Sequence, residues 1–551
     1  MEIKCRITGE NFEVDQWEID FCKNMAVPLP TVCPEERLRR RLCERNTRML
    51  YYRNCDFSGK KIISQFGPDC PAPIYEQSVW WSDDFDPFQY GRDFDFSRPF
   101  FEQFAELKNA VPRMSVFVVG GTLENSEFTN CTGYLKNCYL ICESDYDEDC
   151  YFSNRIYHSK DLCDCSNCYK CELCYECIDC LNSQRLYFSQ DCENCHDSYF
   201  LKNCISCRDC IGCVNQRQKQ YMIANKQYSK EDYEKLKKEF ALDTASGIEN
   251  LKARISEFYA DGAYKCLQSE RCENCTGDYL YDSKNSLECY DSKDLEDCRY
   301  CVKVAGGVKD AMDYSSWGFK AEKVYQSTSC GDGIYNLRFC SNCTTNVSNA
   351  TYCYGCTSSD NIFGCVSLKK AEYCILNKKY SREEYEALLP QIIEHMKKTG
   401  EWGEFFPEDL ATFRYNESLA IDHLPLTKEQ AAEKGYLWRD KNESEYRPSD
   451  VSLPDSIRDV DETICDKLLA CEVMGKNYKI SSSELKLYKR LGVPIPRLCP
   501  DQRHLERMEK KNPWKLFERQ CAKCARMTST TYAPERPERV YCAECYLAEV
   551  Y

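Results

Sequence analysis

Long apolar runs, cationic surplus and histidine are what this sequence has least of. No run approaches the roughly 18 consecutive apolar residues needed to cross a bilayer. The opening stretch MEIKCRITGENFEVDQW lacks the basic, apolar and small-residue sections of a signal peptide, so the expectation is a cytoplasmic protein with no membrane partner. The formal net charge is −16, which argues against a generally basic nucleic-acid coat and leaves only a local basic face open. Five histidines (158, 196, 395, 423 and 504) are scattered through the chain, and lone histidines are more often structural than catalytic. Gly120–Gly121 and Gly306–Gly307 are isolated pairs with no phosphate-loop pattern around them. No convergent acid, base and nucleophile can be assembled, which disfavours catalysis.

Cysteine is abundant, with 43 among 551 residues. In a reducing compartment these are expected to be metal ligands or small buried hydrophobes rather than disulfides. The sharpest pattern closes the chain: Cys521 and Cys524 (CAKC) are answered by Cys542 and Cys545 (CAEC). Two such pairs place four thiolates around one Zn²⁺ and leave no open position for a substrate. One zinc site is therefore expected.

Cysteines 5, 33 and 55 recur at 471, 499 and 521, each displaced by 466, and AVPLPTVCPEERLRRR (26–41) reads against GVPIPRLCPDQRHLER (492–507). One ancestral module thus stands at both ends, each copy with two four-ligand positions in series. Only Cys521, Cys524, Cys542 and Cys545 keep a full set. Elsewhere Thr8, Glu36, Ser58, Glu76, Val79, Met474 and Gln502 occupy ligand positions, leaving Cys5 with Cys33, Cys55 alone, and Cys471 with Cys499. Two thiolates do not close a structural zinc site. His504 and Cys465 are candidates to assist Cys471 and Cys499, and Cys22 or Cys43 to assist Cys5 and Cys33. The alternative is metal-free knuckles held by packing.

The pattern C-x-x-x-G-x-x-F/Y, an acidic helix, V-P-x-P and C-P-x-x-R, running from Cys5 to Arg37 and again from Cys471 to Arg503, resembles a treble-clef or zinc-ribbon domain found in many bacterial proteins. With WWSDDFDPFQYGRDFDFSRPFFEQF (80–104) and CAKC…TTYAPERPERVYCAECY, nearly the whole chain resembles an uncharacterised cysteine-rich zinc-ribbon family of candidate-phyla, Patescibacteria-type bacteria. The resemblance implies zinc and architecture, and carries no activity.

Between 131 and 213 lie 17 cysteines, with Cys168, Cys180, Cys192 and Cys204 at a period of 12 and Tyr139, Tyr151, Tyr175, Tyr187 and Tyr199 in the same phase. A short fixed period means stacked equivalents. The expected fold is mostly β with helical caps: two cysteine-rich parallel β-solenoid segments, cysteine inward and aromatics in a ladder, flanked by the duplicated zinc-ribbon/treble-clef modules. Cys168, Cys171, Cys174, Cys177 and Cys180 also resemble iron–sulfur ligation, but no proline follows them as in the usual ferredoxin run. A second array occupies 266–374. IGCVNQRQKQYMIANKQYSKEDYEKL (211–236) and FGCVSLKKAEYCILNKKYSREEYEAL (363–388) align at an offset of 152. Both lead into helices, at 229–260 and 381–398, expected to cap the open solenoid ends.

The expected domains are a degenerate zinc-ribbon module with an acidic, aromatic loop (1–110), the first solenoid (111–228), its cap (229–260), the second solenoid (261–380), its cap (381–398), a connector (399–464) and the zinc-loaded module (465–551). The connector is expected to let the last module fold back on the first as a paired-knuckle head. Asp83, Asp84, Asp86, Asp93 and Asp95 are the best candidates for a hard-metal or acid–base site, although the interleaved Trp80, Trp81, Phe85, Phe88, Phe94 and Phe96 suggest a loop packed on the first solenoid coil. Arg37, Arg39, Arg40, Arg41, Arg45 and Arg48 form the densest basic stretch, a candidate phosphate-binding helix. Three functions follow: a zinc-binding, non-enzymatic binding or scaffold protein with an unknown protein partner; a nucleic-acid- or ribosome-associated protein; or an enzyme with a site in the 83–95 loop or a solenoid groove.

Overall fold

The computed structural model describes residues 1–319, 321, 323–328, 331, 338–341, 346–440 and 446–550; the remaining parts of the second array, with Cys330 and Cys343, and of the 440–460 connector lie outside the described residues. Among the described residues, short strands and twelve α-helices make a mixed α/β protein. It divides into two compact units. One comprises Met1–Val116, Leu267–Arg439 and Pro513–Leu516, the other Phe117–Cys266, Asp440–Asn512 and Phe517–Tyr551. The N-terminal module falls in the unit of the second array, and the C-terminal module in that of the first.

In the second of these units, Thr129–Gly133, Ile141–Asp145, Asn154–Tyr157 and Ser166–Tyr169 pair in parallel, each residue facing the one twelve positions on. Bridges Lys136↔Glu148 and Tyr139↔Tyr151 carry that register around the remaining sides. One coil therefore has four pairing positions, three residues apart. Each turn between them is made by a residue with φ near +50°, and these recur at every third position, as in Asn137, Leu140, Glu143, Tyr146 and Asp149. Asn and Asp accept this left-handed region readily; a leucine or tyrosine there costs about 1–2 kcal/mol, which the ladder must offset.

The residue after each corner points inward and is buried: Cys150, Ser153, Ile156, Ser159, Leu162, Cys165 and Cys168 follow one another in this way. The preference for Cys and Ser has a hydrogen-bonding cause. Two of the three backbone N–H groups in a triplet donate to neighbouring coils, as Tyr151 to the Leu162 carbonyl (2.8 Å) and Phe152 to the Tyr139 carbonyl (3.0 Å). The third, on the inward residue, lacks a carbonyl partner, so the inward side chain one coil earlier accepts it. Cys165 N–H donates to Ser153 Oγ (3.0 Å), and Cys177 N–H donates to the Cys165 sulfur. The same side chains also donate: Ser153 Oγ to the Tyr151 carbonyl (2.8 Å) and Cys165 Sγ to the Cys163 carbonyl (3.4 Å). A small group able to donate once and accept once is what this position needs, and cysteine supplies it with more apolar surface than serine. Aromatic rings stack outside, with Tyr187–Tyr199 centroids 4.5 Å and Phe188–Phe200 centroids 4.8 Å apart.

The second array repeats the design in the other unit, with Cys289 facing Gly277 and Ile362 facing Ala350 at the same register. One coil has an extra residue, so Val302 faces Ser315, and the insertion falls at Gly306–Gly307.

Both stacks end alike. Asn377 accepts from Val366 N–H (2.7 Å) and donates to Val366 C=O (2.9 Å) through its side-chain amide; Asn225 does the same to Val214 (2.9 and 3.0 Å). The amide substitutes for the backbone of a further coil and closes an edge that would otherwise stay open. Helices then cover the end. Arg382–Thr399 starts at a Ser381 capping box, while the expected 229–260 helix is two, Lys230–Glu239 and Ala245–Ala260. Tyr385 packs on Tyr373 and Tyr233 on Tyr221. The close approach over the last coil needs glycine: a Cβ on Gly364 would lie 2.8 Å from Phe100, and one on Gly212 2.9 Å from Ile255.

Each terminal module docks through a buried ion cluster. Arg37 on helix Pro34–Leu42 meets Asp313 at 2.6 Å, and Arg41 meets it at 2.9 Å. Arg503 and Arg507 on helix Pro500–Glu509 meet Asp164 at 3.3 and 2.6 Å. Arg37 lies over Tyr300 and Arg503 over Phe152, each ring one coil before its aspartate. Both aspartates are fully buried. Removing one partner of such a pair strands a charge and costs about 3–5 kcal/mol.

Two outcomes follow for stability, both read by denaturant unfolding. Asn377→Ala leaves two buried backbone groups of Val366 unpaired and is expected to cost about 2–4 kcal/mol; Asn225→Ala, at an exposed residue, costs less, and no measurable loss at Asn377 would refute the closure role. Asp147 occupies an inward position, accepts from Ser159 N–H (2.9 Å), and is pushed by burial up to about 9. It is protonated when folded and ionised when unfolded above about pH 4, so folding takes up a proton and stability falls as pH rises toward 9. Asp147→Ser keeps the acceptor and is expected to flatten this slope and raise the unfolding midpoint at pH 8.

Candidate metal centre

The hairpin Phe517–Gln520/Met527–Thr530 carries the first cysteine pair in its turn. Cys521 N–H donates to the Arg526 carbonyl (2.8 Å) and Ala525 N–H to the Cys521 carbonyl (2.9 Å). This ties a loop in which Ala525 must adopt φ +58°. Cys542 immediately precedes helix Ala543–Val550 and donates its N–H to Cys521 Sγ at 3.3 Å; Cys545 lies in the first turn. The four sulfurs all lie within 4.8 Å of one another, and Cys524 and Cys542 are 3.9 Å apart. Tetrahedral ligands with metal–sulfur bonds of about 2.3 Å stand about 3.8 Å apart, so the set fits a single ion.

The electrostatics point the same way. Burial opposes ionisation of Cys521, but backbone N–H groups of Cys524, Cys542 and Lys523 outweigh it and hold the thiol down to about 6. Cys545, beside the sulfurs of Cys542, Cys524 and Cys521, is pushed up to about 12. Four thiolates this close ionise together only with a cation among them. The module is fixed to its unit by strand Arg539–Tyr541, parallel to Ala263–Lys265, by Thr530 Oγ1 donating to the Cys266 carbonyl (2.8 Å), and by Tyr546, whose hydroxyl donates to Asn215 (3.1 Å).

The other three knuckles keep the same backbone. Cys5, Cys55 and Cys471 N–H groups donate to Glu10, Lys60 and Lys476 carbonyls, and Gly9, Gly59 and Gly475 return to the cysteine carbonyls, with φ of 73°, 71° and 68°. Their ligand positions have been put to other uses. Glu76 N–H donates to Cys55 Sγ (3.2 Å), as Cys542 does to Cys521, but its carboxylate pairs with Lys60 (3.5 Å), an ammonium beside the vacated position. Glu36 pairs with Arg39 (3.1 Å) and Lys434 (2.9 Å). Cys33 N–H donates to Cys5 Sγ (3.4 Å); burial opposes ionisation of Cys5, yet this bond with those from Thr8 and Ile7 brings it down to about 7. Burial pushes Cys22 up to about 12 and raises Cys43. Among the described residues, the terminal set is the only group of three or more His, Cys, Asp or Glu side chains placed to hold a metal. Neither Cys22 and Cys43 nor Cys465 and His504 complete the residual pairs in that way. The stack cysteines donate to backbone carbonyls, as Cys174 does to Glu172 (3.4 Å); burial raises Cys174 and Cys177 above the ordinary thiol range, while the sulfurs beside them lower Cys171, and burial opposed by neighbouring sulfurs leaves Cys180 lowered.

The basic stretch requires correction as a phosphate-binding face. Arg37, Arg39, Arg40 and Arg41 are buried. Arg39 donates to the Tyr415 hydroxyl (2.6 Å) and Arg40 pairs with Glu408 (3.0 Å). Arg45 and Arg48 are half-buried. The acidic loop is also placed differently from expectation. It packs on the last coil of the second stack, where Lys369 donates to the Trp80 carbonyl (2.8 Å) and Asn377 to the Pro87 carbonyl (3.1 Å). Trp80, Phe85 and Phe94 are buried while Asp83, Asp84, Asp86, Asp93 and Asp95 stay exposed. Asp164, Asp313 and the closing asparagines escaped the sequence reading, although Arg37/Arg503 and Arg41/Arg507 matching at offset 466 marked one side of the docking contact. Comparison with protein-family models, curated proteins and solved structures finds no match to this chain.

Ala525 stands where the other knuckles have glycine. Ala525→Gly relieves left-handed strain of about 1–2 kcal/mol and loses about 0.4–1 kcal/mol to unfolded-chain entropy. The net expectation is a more stable metal-free module, read as a higher unfolding midpoint in chelator; a lower midpoint would contradict the assigned strain.

Proposed function

We propose that the protein is a zinc-binding, non-enzymatic binding or scaffold protein of the cytoplasm, in which two β-solenoid segments present an extended surface to a protein partner and a treble-clef, zinc-ribbon-type module holds one Zn²⁺. The observation that carries this reading is the four-sulfur group at Cys521, Cys524, Cys542 and Cys545, whose separations suit a tetrahedral ion. An all-thiolate shell keeps no open position, so the zinc serves folding of the terminal module and not chemistry. Support for a scaffold comes from the way cysteine is used elsewhere: the stack thiols hydrogen-bond the backbone, and the degenerate knuckles trade ligands for ion pairs. Membership of the cysteine-rich zinc-ribbon family of candidate-phyla bacteria is part of the same proposal and rests on the motifs at both ends.

Metal analysis by mass spectrometry with an absorption spectrum of anaerobically purified protein tests it. About one zinc per chain and no visible band are expected. Cys521→Ser with Cys524→Ser should abolish the zinc while the circular dichroism of the stacks persists. Several irons per chain with a brown chromophore would overturn the reading.

A further inference from the structure

Besides its two cysteines, the knuckle at Cys471 has a third sulfur, that of Met474. Its hairpin, Leu469–Ala470/Asn477–Tyr478, closes with the bonds of the zinc knuckle: Cys471 N–H to the Lys476 carbonyl and Gly475 N–H to the Cys471 carbonyl, both 2.9 Å. Cys499 precedes helix Pro500–Glu509 as Cys542 precedes its own helix, and its N–H donates to the Cys471 sulfur. Met474 occupies the position that Cys524 has in the complete site. Its Sδ lies 3.8 Å from Cys499 Sγ, against 3.9 Å between Cys524 and Cys542. At the fourth position Gln502 turns its amide to Glu506 (3.3 Å). Cys471 and Cys499 are buried and Met474 is half-buried.

We propose that Cys471, Met474 and Cys499 form a second metal site, a three-sulfur cage for a soft monovalent cation, Cu(I). A thioether is neutral and soft, and thiolate–thioether sets favour Cu(I) over the harder divalent ions. With metal–sulfur bonds of about 2.3 Å, three ligands in a plane stand about 4 Å apart, matching the one sulfur–sulfur distance fixed here. Binding exchanges two thiol protons for one Cu(I), with no electron transferred. The N-terminal copy is a built-in contrast: Thr8 replaces the thioether, so Cys5 and Cys33 have no third sulfur. The site is independent of the zinc at Cys521, Cys524, Cys542 and Cys545.

The test uses the full-length, zinc-loaded, reduced protein under anaerobic conditions, titrated with Cu(I) as its acetonitrile complex against bicinchoninate. One equivalent of copper is expected to bind with zinc retained, and X-ray absorption should give three sulfur neighbours. Met474→Leu is expected to weaken binding at least about tenfold, as is Met474→Thr, which copies the N-terminal knuckle and serves if the leucine variant misfolds; circular dichroism and zinc content should be unchanged. Copper that displaces zinc mole for mole, affinity indifferent to both substitutions, failure to compete with the chelator, or a second zinc in place of copper would each overturn the proposal.

Discussion

A coil of twelve residues has four corners and only three residues for each side, so one residue in three must take the left-handed backbone region. The penalty recurs from corner to corner and is met by the parallel pairing between successive coils. It also sets the chemistry of the interior. The inward residue of each triplet has an N–H with no carbonyl to meet, and a serine or cysteine one coil earlier can serve it, although apolar residues such as Ile156 and Leu162 share the inward row. Serine does this and cysteine does it with a less polar surface, which gives a reason for cysteine at the inward positions of the described coils.

Such a ladder is stable only where its end is closed, and the same solution appears in both units. An asparagine amide replaces the missing backbone, a short antiparallel strand turns the chain back, and a helix covers the edge at a glycine. Each terminal module then docks on a coil through two arginines sharing one buried aspartate. The arginines lie four residues apart on a helix, the spacing that brings both to one face. The aspartate lies at a corner, where its left-handed backbone is tolerated.

Docking of this kind lets a knuckle keep its fold where its ligand positions carry other residues. A knuckle that depends on zinc for its folding energy cannot spare two thiolates. A knuckle held by a buried Arg–Asp cluster, with Glu76 paired to Lys60 or Glu36 paired to Arg39 and Lys434, can. The terminal CxxC pairs hold their module by a strand, a threonine and a tyrosine, and there the full set of sulfurs has been kept.

The spacing of Cys521, Cys524, Cys542 and Cys545 determined a four-ligand group unaided, because a knuckle is local and its ligands are set by short loops. The twelve-residue period in the cysteines and tyrosines is the register at which the strands pair, and the offsets of 466 and 152 mark residues that occupy like places, since a repeat in sequence is a repeat in backbone geometry. What tertiary structure alone decided was partnership. That Arg37 to Arg41 are buried against a coil instead of facing phosphate, that the acidic loop lies on the second stack, and that each module joins the stack remote from it in the chain all depend on a single aspartate or lysine brought from hundreds of residues away. Charge and periodicity announce that a side chain needs a partner; only packing decides which one it finds.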